Sequence, residues 1–524
     1  MTGKTCKTPE SYRPQNWRGE IMVGSVDVVI VGLGPTGATL ANLLCSMDLT
    51  VCIVEADETM FTLPRATHFD GEVMRVFQTI GLADKIKPDT HVNPGMTFIN
   101  AQHEVILHWP RPAEVGPQNW HGSYRFHQPA LETVLREGLN RFPQAKVLSG
   151  CEVVSLEQGE YGVVAQYRTR KTGETASIKG RYLVGCDGGR SPVRGMISSQ
   201  LEDLGSHERW IVVDLLMNRD VEGLTDGTVQ FCNPVRPTTF MRCVKNRRRW
   251  EFMVMPRDDL EQLLTPEGIW GLLSPWLTPD DGEIERAVTY FFHAVMAKPW
   301  RVDRVLLAGD AAHQTPPFLG QGLCAGIRDS SNLAWKLASV IKGTASEALL
   351  DTYEQERAPH VRKYIENAIQ IGSIIQTVDP ELARERDENL AKGGRFITSI
   401  NAQLGEGLHG SEPLPAGMIS RQPILTSGRP LDDVVGNAFV VLGAQDVLDK
   451  VSQDTRRRWH DIGLVCLADE GSDYLAEIGA MAIIIRPDRY ILGIANSPQD
   501  LDRISELLPT WGQRTDMIGM AAQR

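Results

Sequence analysis

A glycine-rich turn near the start of the chain constrains its fold more than any other feature of the sequence. Before the turn, residues 26–31 form a near-continuous apolar run that is typical of a strand buried on both faces of a parallel sheet. After it, residues 38–47 predict an apolar helix and residues 50–54 a second buried strand. The turn itself carries Gly32, Gly34 and Gly37. This order predicts a βαβ unit that binds a dinucleotide.

The three glycines have different tasks in such a unit. The first permits the tight turn, the second lets the backbone approach a pyrophosphate, and the third allows the helix to pack closely on the strand. Backbone N–H groups at the start of the helix, around Pro35 and Thr36, then face the phosphates together with the helix dipole. Glu55 ends the second strand, where a carboxylate accepts hydrogen bonds from an adenosine ribose. A glycine turn that binds nothing is the alternative.

A second match to the same glycine spacing occurs at residues 405–410. No buried strand clearly precedes it, and Pro413 and Pro415 forbid the helix that must follow. We therefore expect no nucleotide there, and no second Rossmann unit remains for a nicotinamide cofactor.

Two later segments also combine strands with glycines. Residues 182–186 predict a strand that leads into Asp187 and Gly188. Residues 306–310 predict another strand, which ends in Asp310, and this segment continues through His313 towards residues 320–322. A carboxylate at that strand end is placed to accept hydrogen bonds from the hydroxyls of a ribityl chain.

In this order and at these separations, the three segments resemble the signatures of single-component flavin monooxygenases of the para-hydroxybenzoate hydroxylase type. The resemblance covers most of residues 26–372 and is strongest to the 3-(3-hydroxyphenyl)propionate hydroxylase and phenol hydroxylase branch. It implies FAD as the cofactor, NAD(P)H as the co-substrate, and a small phenolic ring and O2 as substrates. In that family, oxygen adds to reduced FAD to give a C4a-hydroperoxide, whose distal oxygen is transferred to the ring.

The resemblance also implies which residues contact the cofactor. Arg65 and Gln128 match contacts to the flavin, while Arg194 belongs to a motif with a part in NAD(P)H binding. A surface arginine and a helix-capping glutamine are the alternatives for the first two. The full set predicted to bind the cofactor is Gly32, Gly34, Pro35, Thr36, Gly37, Glu55, Arg65, Gln128, Asp187, Gly188, Arg194, Gly309, Asp310, Pro317, Gly320, Gln321, Gly322 and Leu323.

Three residues are predicted to act on the substrate. His68 follows Arg65 on the loop expected beside the flavin, and a histidine that titrates near neutrality is suited to deprotonate a phenol. Pro316 lies in the segment expected to line the substrate cavity, and Arg236 is a candidate to bind a substrate carboxylate, as is Arg242. A packed histidine and exposed strand arginines are the alternatives. Residues 315–319 depart from the resembled family, so the identity of the ring stays open.

The predicted fold class is α/β: a Rossmann-like FAD-binding domain with an interleaved antiparallel β substrate domain and a C-terminal thioredoxin-like domain without a C-x-x-C pair. Residues 247–249, three arginines after a turn at Asn246, are expected to form a solvated hairpin tip. The predicted division is a flexible extension at 1–24, the FAD-binding domain at 25–90, 121–205 and 299–375, the substrate domain at 91–120 and 206–298, a helical segment and linker at 376–430, and the thioredoxin-like domain at 431–524.

Composition narrows the partners. A formal net charge of -12 disfavours nucleic acid and anionic lipid, and no apolar run approaches the length of a membrane span. The nine cysteines are scattered, as expected for reduced thiols in a cytoplasmic protein, and no histidine has the spacing of a metal ligand. We expect small-molecule partners, no metal, and a structural or homodimer-contact role for the C-terminal domain.

Other functions share part of the pattern. Flavin-dependent halogenases resemble one another through a W-x-W-x-I-P segment. That function is disfavoured here because none of the eleven tryptophans has another tryptophan two positions away. A related monooxygenase that tailors a larger aromatic product, including by Baeyer-Villiger insertion, remains open. A non-catalytic protein with the same nucleotide fold would have no use for Asp310 or for residues 320–322.

Overall fold

The structure is a computed structural model that describes residues 22–60, 62–393 and 400–510. Most of the predicted N-terminal extension lies outside these residues, and residues 22–24 belong to the first strand. The described strands are, in chain order, β1 (Met22–Val31), β2 (Val51–Glu55), β3 (His68–Asp70), β4 (Thr90–Val92), β5 (Gly95–Ile99), β6 (Val105–Pro110), β7 (Ser123–Phe126), β8 (Ala145–Ser149), β9 (Cys151–Gly159), β10 (Gly162–Thr169), β11 (Thr175–Gly185), β12 (Gln200–Met217), β13 (Thr228–Phe231), β14 (Thr238–Arg242), β15 (Arg247–Met253), β16 (Gly282–Lys298), β17 (Arg301–Val302), β18 (Val305–Leu307), β19 (His313–Gln314), β20 (Val440–Gly443), β21 (Val465–Ala468), β22 (Ala482–Ile485) and β23 (Ile491–Ala495).

The described α-helices are, in the same order, α1 (Pro35–Ser46), α2 (Gly71–Thr79), α3 (Ala83–Ile86), α4 (Gln128–Gly138), α5 (Pro192–Met196), α6 (Leu260–Leu263), α7 (Pro266–Leu273), α8 (Gly322–Ile341), α9 (Asp351–Ile375), α10 (Pro380–Ala391), α11 (Leu431–Val435), α12 (Gln445–Leu448), α13 (Gln453–Asp461), α14 (Ser472–Glu477) and α15 (Pro498–Ser505). None of these helices combines the length and apolar character needed to cross a membrane.

The first sheet is built around five parallel strands in the order β8–β2–β1–β11–β18. Val28, Val29 and Ile30 in β1 are fully buried, which explains why this strand is apolar on both faces. Helix α1 connects β1 to β2, so the predicted βαβ unit is confirmed. The parallel strands end at one edge, where ligands bind in folds of this kind.

The second sheet has the order β19–β16–β12–β15–β14–β13–β5–β6 and is antiparallel except between β13 and β5. Residues 211–255 alternate apolar and polar side chains in several short runs, as is typical of half-buried strands, and they form the end of β12 together with β13 to β15. A small third sheet has the order β3–β7–β4. Its strand β3 leads into α2, and its strand β7 leads into α4.

The prediction that residues 247–249 form a solvated hairpin tip is wrong. These arginines begin β15, and Arg248 and Arg249 are only 6% and 3% exposed. The reason is a carboxylate on the neighbouring strand β12: Asp214 accepts hydrogen bonds from Arg249 Nε at 2.6 Å and from its second guanidinium nitrogen at 3.1 Å. A buried ion pair therefore replaces solvation of the charge.

The C-terminal residues form a four-stranded sheet in the order β21–β20–β22–β23. Residues 486–489 join β22 to β23 as an antiparallel hairpin. The preceding stretch, predicted as a linker, is packed: Arg75 of α2 donates to the Ser420 carbonyl oxygen at 2.6 Å and pairs with Asp432 at the same distance. Glu356 of α9 and Arg486 also form a fully buried pair, at 2.8 Å.

Candidate active site

A cavity of about 1410 Å3 opens where the first sheet meets the second and third sheets. Its wall includes Val31, Val54 and Cys186, which stand at or beside the carboxyl ends of β1, β2 and β11. Pockets for ordinary small ligands span roughly 300–1,000 Å3. The cavity is therefore large enough for a dinucleotide together with a second, smaller molecule.

The turn after β1 is built by close backbone approach. Gly32 has φ +100°, and a Cβ added to it would lie 2.5 Å from the Cys186 carbonyl oxygen. A Cβ on Gly37 would lie 2.1 Å from the Gly32 carbonyl oxygen, whereas one on Gly34 would meet no atom within 4 Å. Glu55 at the end of β2 lines the cavity and accepts a hydrogen bond from Leu33 N at 2.6 Å. The side of the turn that faces the cavity is thus open to a ligand.

Two helix N-termini face the same cavity. Helix α1 begins after Gly34 and α8 begins at Gly322, and neither has a side chain that caps its first N–H groups. Such uncapped N–H groups, with the positive end of the helix dipole, form an anion-binding site. Gly320 has φ +63°, and an added Cβ would lie 2.9 Å from the His68 Cβ atom. The two N-termini match the phosphates and the polar edge of the isoalloxazine ring of a flavin dinucleotide.

Asp310 stands in the wall of the cavity, after β18. Its side chain is exposed to the open cavity, and desolvation by the surrounding protein raises its pKa. Asp187, after β11, also lines the cavity, and burial raises its pKa despite a hydrogen bond from Val193 N at 3.0 Å. Both carboxylates would gain from ligand hydroxyls or amides that donate to them. The donor and acceptor groups of the cavity therefore fit FAD.

Several residues predicted to contact the cofactor support the site without lining it. Gly309 packs on Thr36, whose Oγ1 would lie 2.6 Å from an added Cβ, and Gly37 packs α1 on the turn. Arg194 donates to the Ala311 carbonyl oxygen at 2.9 Å and to the Gly189 carbonyl oxygen at 2.8 Å. It therefore joins two cavity loops rather than reaching into the cavity.

Gln321 and Gln128 are also engaged by protein groups. Gln321 accepts from Arg328 at 3.0 Å and donates to Asp70 at 3.3 Å, which turns its amide away from the cavity. Gln128 lines the cavity, and its Oε1 accepts from the backbone N–H groups of Arg65 and Ala66 at 2.9 and 2.7 Å. The Gln128 side chain thus shapes the loop that carries Arg65, which lines the cavity too. The other residues of the predicted set that line the cavity are Gly32, Gly34, Pro35, Thr36, Glu55, Asp187, Gly188, Asp310, Pro317, Gly320, Gly322 and Leu323.

Two of the three residues predicted to act on the substrate lie outside the cavity wall. Arg236 forms a two-pronged ion pair with Asp258, at 2.5 and 2.8 Å, because a loop after β15 brings that carboxylate beside it. Pro316 is buried behind the wall. Arg242 is likewise paired, with Asp226. A substrate carboxylate would have to displace a protein carboxylate from either arginine.

His68 lies in the cavity wall, but it does not titrate near neutrality as expected. Burial and the nearby Arg125 lower its pKa to about 4, so the ring is uncharged at pH 7. Its Nδ1 lies 3.2 Å from the Gly320 carbonyl oxygen, which can only accept, so Nδ1 carries the proton. Nε2 then accepts from the Ser123 hydroxyl at 2.8 Å. Asn93 donates to the same hydroxyl oxygen at 2.9 Å.

Sequence reasoning missed most of the wall formed by the second sheet. Pairs of side chains two positions apart face the cavity: Thr228 and Gln230 on β13, Thr239 and Met241 on β14, and Arg249 and Glu251 on β15. A period of two places both members of each pair on one face of a strand. The signal was the two-residue spacing of polar side chains on β13 and β15, Thr228 with Gln230 and Arg249 with Glu251.

Charge at this end of the cavity is arranged in a buried cluster. Asp214 pairs with Arg249 at 2.6 Å and with Arg286 at 2.7 Å, and the attraction raises the pKa of Arg249. Glu251 lies 3.8 Å from Arg249, and burial raises its pKa. Arg249 also donates to the carbonyl oxygens of Pro64 and Arg65, both at 2.8 Å. It thereby links the second sheet to the loop beside the cofactor end.

A dinucleotide cradle on a parallel sheet that opens onto a polar pocket in an antiparallel sheet defines a flavin-dependent oxidoreductase. Residues 25–368 match the family model described as an FAD binding domain, and the chain belongs to this family of FAD-dependent aromatic monooxygenases. It is 35% identical over 510 residues to a probable NADH-specific resorcinol 4-hydroxylase of Rhodococcus jostii, covering 92% of this chain and 94% of that one. It is 33% identical over 512 residues to a 3-(3-hydroxy-phenyl)propionate/3-hydroxycinnamic acid hydroxylase of Burkholderia cenocepacia, covering 88% and 93%.

Solved structures share the fold at lower identity. The flavin-dependent monooxygenase PieE, in complex with FAD and substrate, superposes with a TM-score of 0.79 at 21% identity, covering 92% of this chain and 98% of that one. Aklavinone-11 hydroxylase, in complex with FAD and aklavinone, has a TM-score of 0.74 at 23% identity and the same coverage. These two likenesses concern the fold alone.

Proposed function

We propose that this single-component flavoprotein uses NAD(P)H and O2 to hydroxylate a small phenolic ring. The observation that carries the proposal is the continuity of one cavity from the two uncapped helix N-termini to the polar face of the second sheet. The curated relatives named above, a resorcinol hydroxylase and a hydroxyphenylpropionate hydroxylase, support a phenol of one ring. Aklavinone, the compound named with one of the solved structures, belongs to a chain of only 23% identity.

Each part of the cofactor has a proposed partner. Glu55 would accept from the adenosine ribose, the N-terminus of α1 would bind the pyrophosphate, and Asp310 would accept from the ribityl hydroxyls. The N-terminus of α8, with residues 320–322, would stabilise negative charge on the ring. Bound FAD would supply the chemistry that this chain's side chains lack, namely hydride acceptance from NAD(P)H and activation of O2.

We propose that His68 acts through Ser123 instead of storing a proton itself. The Ser123 hydroxyl donates to His68 and accepts from Asn93, which leaves one lone pair of its oxygen towards the cavity. A phenol hydroxyl that donates to this oxygen would be oriented by it. His68 is then a positioning residue, since its lowered pKa keeps the ring neutral as the fixed acceptor of the serine proton.

The division into domains is proposed with the predicted bounds, except that the FAD-binding domain begins with β1 at Met22, and with FAD bound by the first sheet and the ring held by the second. We further propose that residues 431–510 form a thioredoxin-like unit with a structural role or a dimer contact. A βαβ unit from β20 to β21, followed by the β22–β23 hairpin and α15, supports that likeness. Its buried ion pairs with α2 and α9 support a structural role.

The proposed function is tested by NADH and NADPH oxidation by the purified flavoprotein, in the presence of resorcinol, 3-(3-hydroxyphenyl)propionate and other phenols. We expect at least one phenol to accelerate oxidation and to yield a product that contains one oxygen atom from O2. Stimulated oxidation with only hydrogen peroxide as product would identify an effector instead of a substrate. A ring-expanded lactone or ester would favour Baeyer-Villiger insertion, and purified protein that gains no flavin absorbance with FAD would contradict the proposal.

A further inference from the structure

Arg125 differs from every other buried arginine in the described part of the chain. Nine arginines there are less than 9% exposed, and eight of them have a carboxylate within 4 Å. Arg125, which is 6% exposed, has none. Its guanidinium donates to the hydroxyl of Thr228 and lies 4.0 Å from the sulfur of Met241. A buried cation without a counter-ion is costly, so it indicates a function.

The position of Arg125 is set by the third sheet. In the antiparallel pair β3–β7, Arg125 stands directly opposite His68, so the two side chains project from the same face. Both line the cavity, and His68 contacts the Gly320 carbonyl oxygen. Arg125 is therefore next to the loop proposed to hold the flavin ring, on the side where Ser123 and Thr228 form the wall. This is the point at which the proposed cofactor end and the proposed substrate end of the cavity meet.

We propose that Arg125 binds the ionised hydroxyl oxygen of the substrate, so that the pocket takes the phenol as its phenolate. This inference rests on the proposed function. A fixed cation favours the charged form of an acid beside it and so lowers the pKa of that acid. Arg125 presents N–H donors from a rigid plane, and a phenolate oxygen accepts more than one of them. The proton that the phenol loses passes to solvent, and the contact of the ionised oxygen with Arg125 then replaces the hydrogen bond that the neutral hydroxyl donates to Ser123.

The same field already acts on the groups around this point. Besides burial, Arg125 lowers the pKa of His68, and at His91 on β4 burial, Arg242 and then Arg125 lower the pKa. It also opposes the effect of burial on Glu251 across the cavity. The charged and titratable groups around the site are His68 and Asp70 on β3, His91 on β4, Arg111 after β6, Arg242 on β14, Cys243 after β14, and Arg248, Arg249 and Glu251 on β15. Asp214 is shared by Arg249 and Arg286, and with Arg111 and Arg125 the arginines here outnumber the carboxylates Asp70, Asp214 and Glu251, so the excess charge of the pocket is positive.

The test compares Arg125→Gln and Arg125→Lys with Arg242→Gln in the FAD-loaded protein. Arg242 stands on the neighbouring strand β14, is paired with Asp226 and lies outside the cavity wall, so it controls for the loss of one positive charge. Resorcinol is titrated at several pH values between 6 and 10 while the flavin absorbance is recorded, and the ultraviolet band of the bound phenolate is followed. FAD content is measured first for every variant.

We expect the wild type and Arg242→Gln to bind resorcinol as phenolate below the pH at which the free phenol ionises. For Arg125→Gln we expect binding at pH 7.5 to weaken by about 10- to 100-fold, as for loss of a hydrogen bond to a charged group, and the phenolate band to appear only near the pKa of the free phenol. Arg125→Lys should keep the phenolate band and lose part of the affinity, because it retains the charge without the planar set of donors.

Several results would overturn the inference. Unchanged affinity and an unchanged phenolate band in Arg125→Gln would do so directly. A selective loss of binding of 3-phenylpropionate, which has no phenol group, would assign Arg125 to a carboxylate, and loss of FAD from both Arg125 variants would assign it to the cofactor. Failure of the proposed function looks different: the wild type would then bind phenolate through Arg125 while oxidising no NAD(P)H.

Discussion

The two ends of the cavity are built from different chemistry. At the cofactor end, the contacts are made largely by the main chain: glycines at which a Cβ would collide with a carbonyl oxygen, and helix N-termini without side-chain caps. At the substrate end, the wall consists of side chains from β13, β14 and β15, backed by the cluster of Asp214, Arg249 and Arg286. One end depends on steric room and the other on balanced charge.

This difference teaches where each end is vulnerable. A single methyl group is expected to damage the cofactor end, while an isosteric loss of charge is expected to damage the substrate end. Arg249 connects them, because it is held by Asp214 and donates to the loop that carries Arg65. A mutation at one end of the cavity can therefore test whether ligand binding at the other end changes.

The largest effect is expected from Asp214→Asn. The change leaves the buried guanidinium groups of Arg249 and Arg286 without their shared carboxylate, and such a loss lowers the free energy of unfolding by about 3–5 kcal/mol. Urea unfolding measures it. Asp258→Asn is the matched control, since its pair with Arg236 is partly exposed and should contribute about 1 kcal/mol or less. Equal losses in the two variants would show that burial of the cluster is not the source of its strength.

Gly37→Ala tests the steric end. Its Cβ would lie 2.1 Å from the Gly32 carbonyl oxygen, so α1 must move away from the turn, at a cost of about 3 kcal/mol. We expect a lower melting temperature and loss of FAD from the purified protein. Gly195→Ala, where an added Cβ meets nothing within 4 Å, should leave both unchanged. Full FAD content in Gly37→Ala would contradict the described turn.

His68→Asn is expected to change how the stability of the protein depends on pH. The folded-state pKa of His68 is about 4 and the ordinary value is 6.5, so between these pH values the unfolded state binds more protons than the folded state. Wild-type stability should therefore fall, relative to the variant, as the pH drops from 6.5 to 4, by about 3 kcal/mol in total. Chemical unfolding at pH 7, 5.5 and 4.5 measures the difference. Parallel stability curves would mean that His68 is not held neutral in the folded protein.

The smallest effect on folding is expected from Asp310→Ala. Because desolvation raises the pKa of this carboxylate, its removal costs the apoprotein little, whereas the proposed hydrogen bonds to ribityl hydroxyls are lost. We expect the FAD dissociation constant to rise by about 10- to 100-fold, measured from the recovery of flavin fluorescence on release. Asp351→Ala, an exposed carboxylate outside the cavity, is the control. Unchanged FAD occupancy in Asp310→Ala would show that the proposed partner is wrong.

The elements of the cofactor end were predictable because their signals are local. An apolar strand, three glycines, an apolar helix and a closing glutamate all lie within about thirty residues, and each part is required by the geometry of a single turn. The strands of the second sheet were predictable for a similar reason, since alternation of side chains is a property of each strand alone. The positions of Gly32, Gly34 and Glu55 in the described site follow from such signals.

The substrate end was predicted less well. Arg236 is paired with Asp258, and the arginines after Asn246 belong to a buried strand instead of a solvated tip. In both cases the deciding partner is a carboxylate on another segment, and no pattern in the neighbourhood of the arginine reports it. Arg125 was also missed, because what sets it apart is that no described carboxylate lies within 4 Å of it, which is visible only when the strands are assembled.

The amino-acid order alone determined that this chain holds a dinucleotide on a parallel sheet and carries an antiparallel sheet beside it. The reason is that a turn or a strand requires particular residue types at positions close together in the sequence. The tertiary structure decided which charges are paired, that His68 is neutral, and that Arg125 faces the cavity without a counter-ion. Electrostatic interactions act between atoms that are close in space however distant they are along the chain. They are therefore determined only when β3, β7 and β15 come together around the cavity.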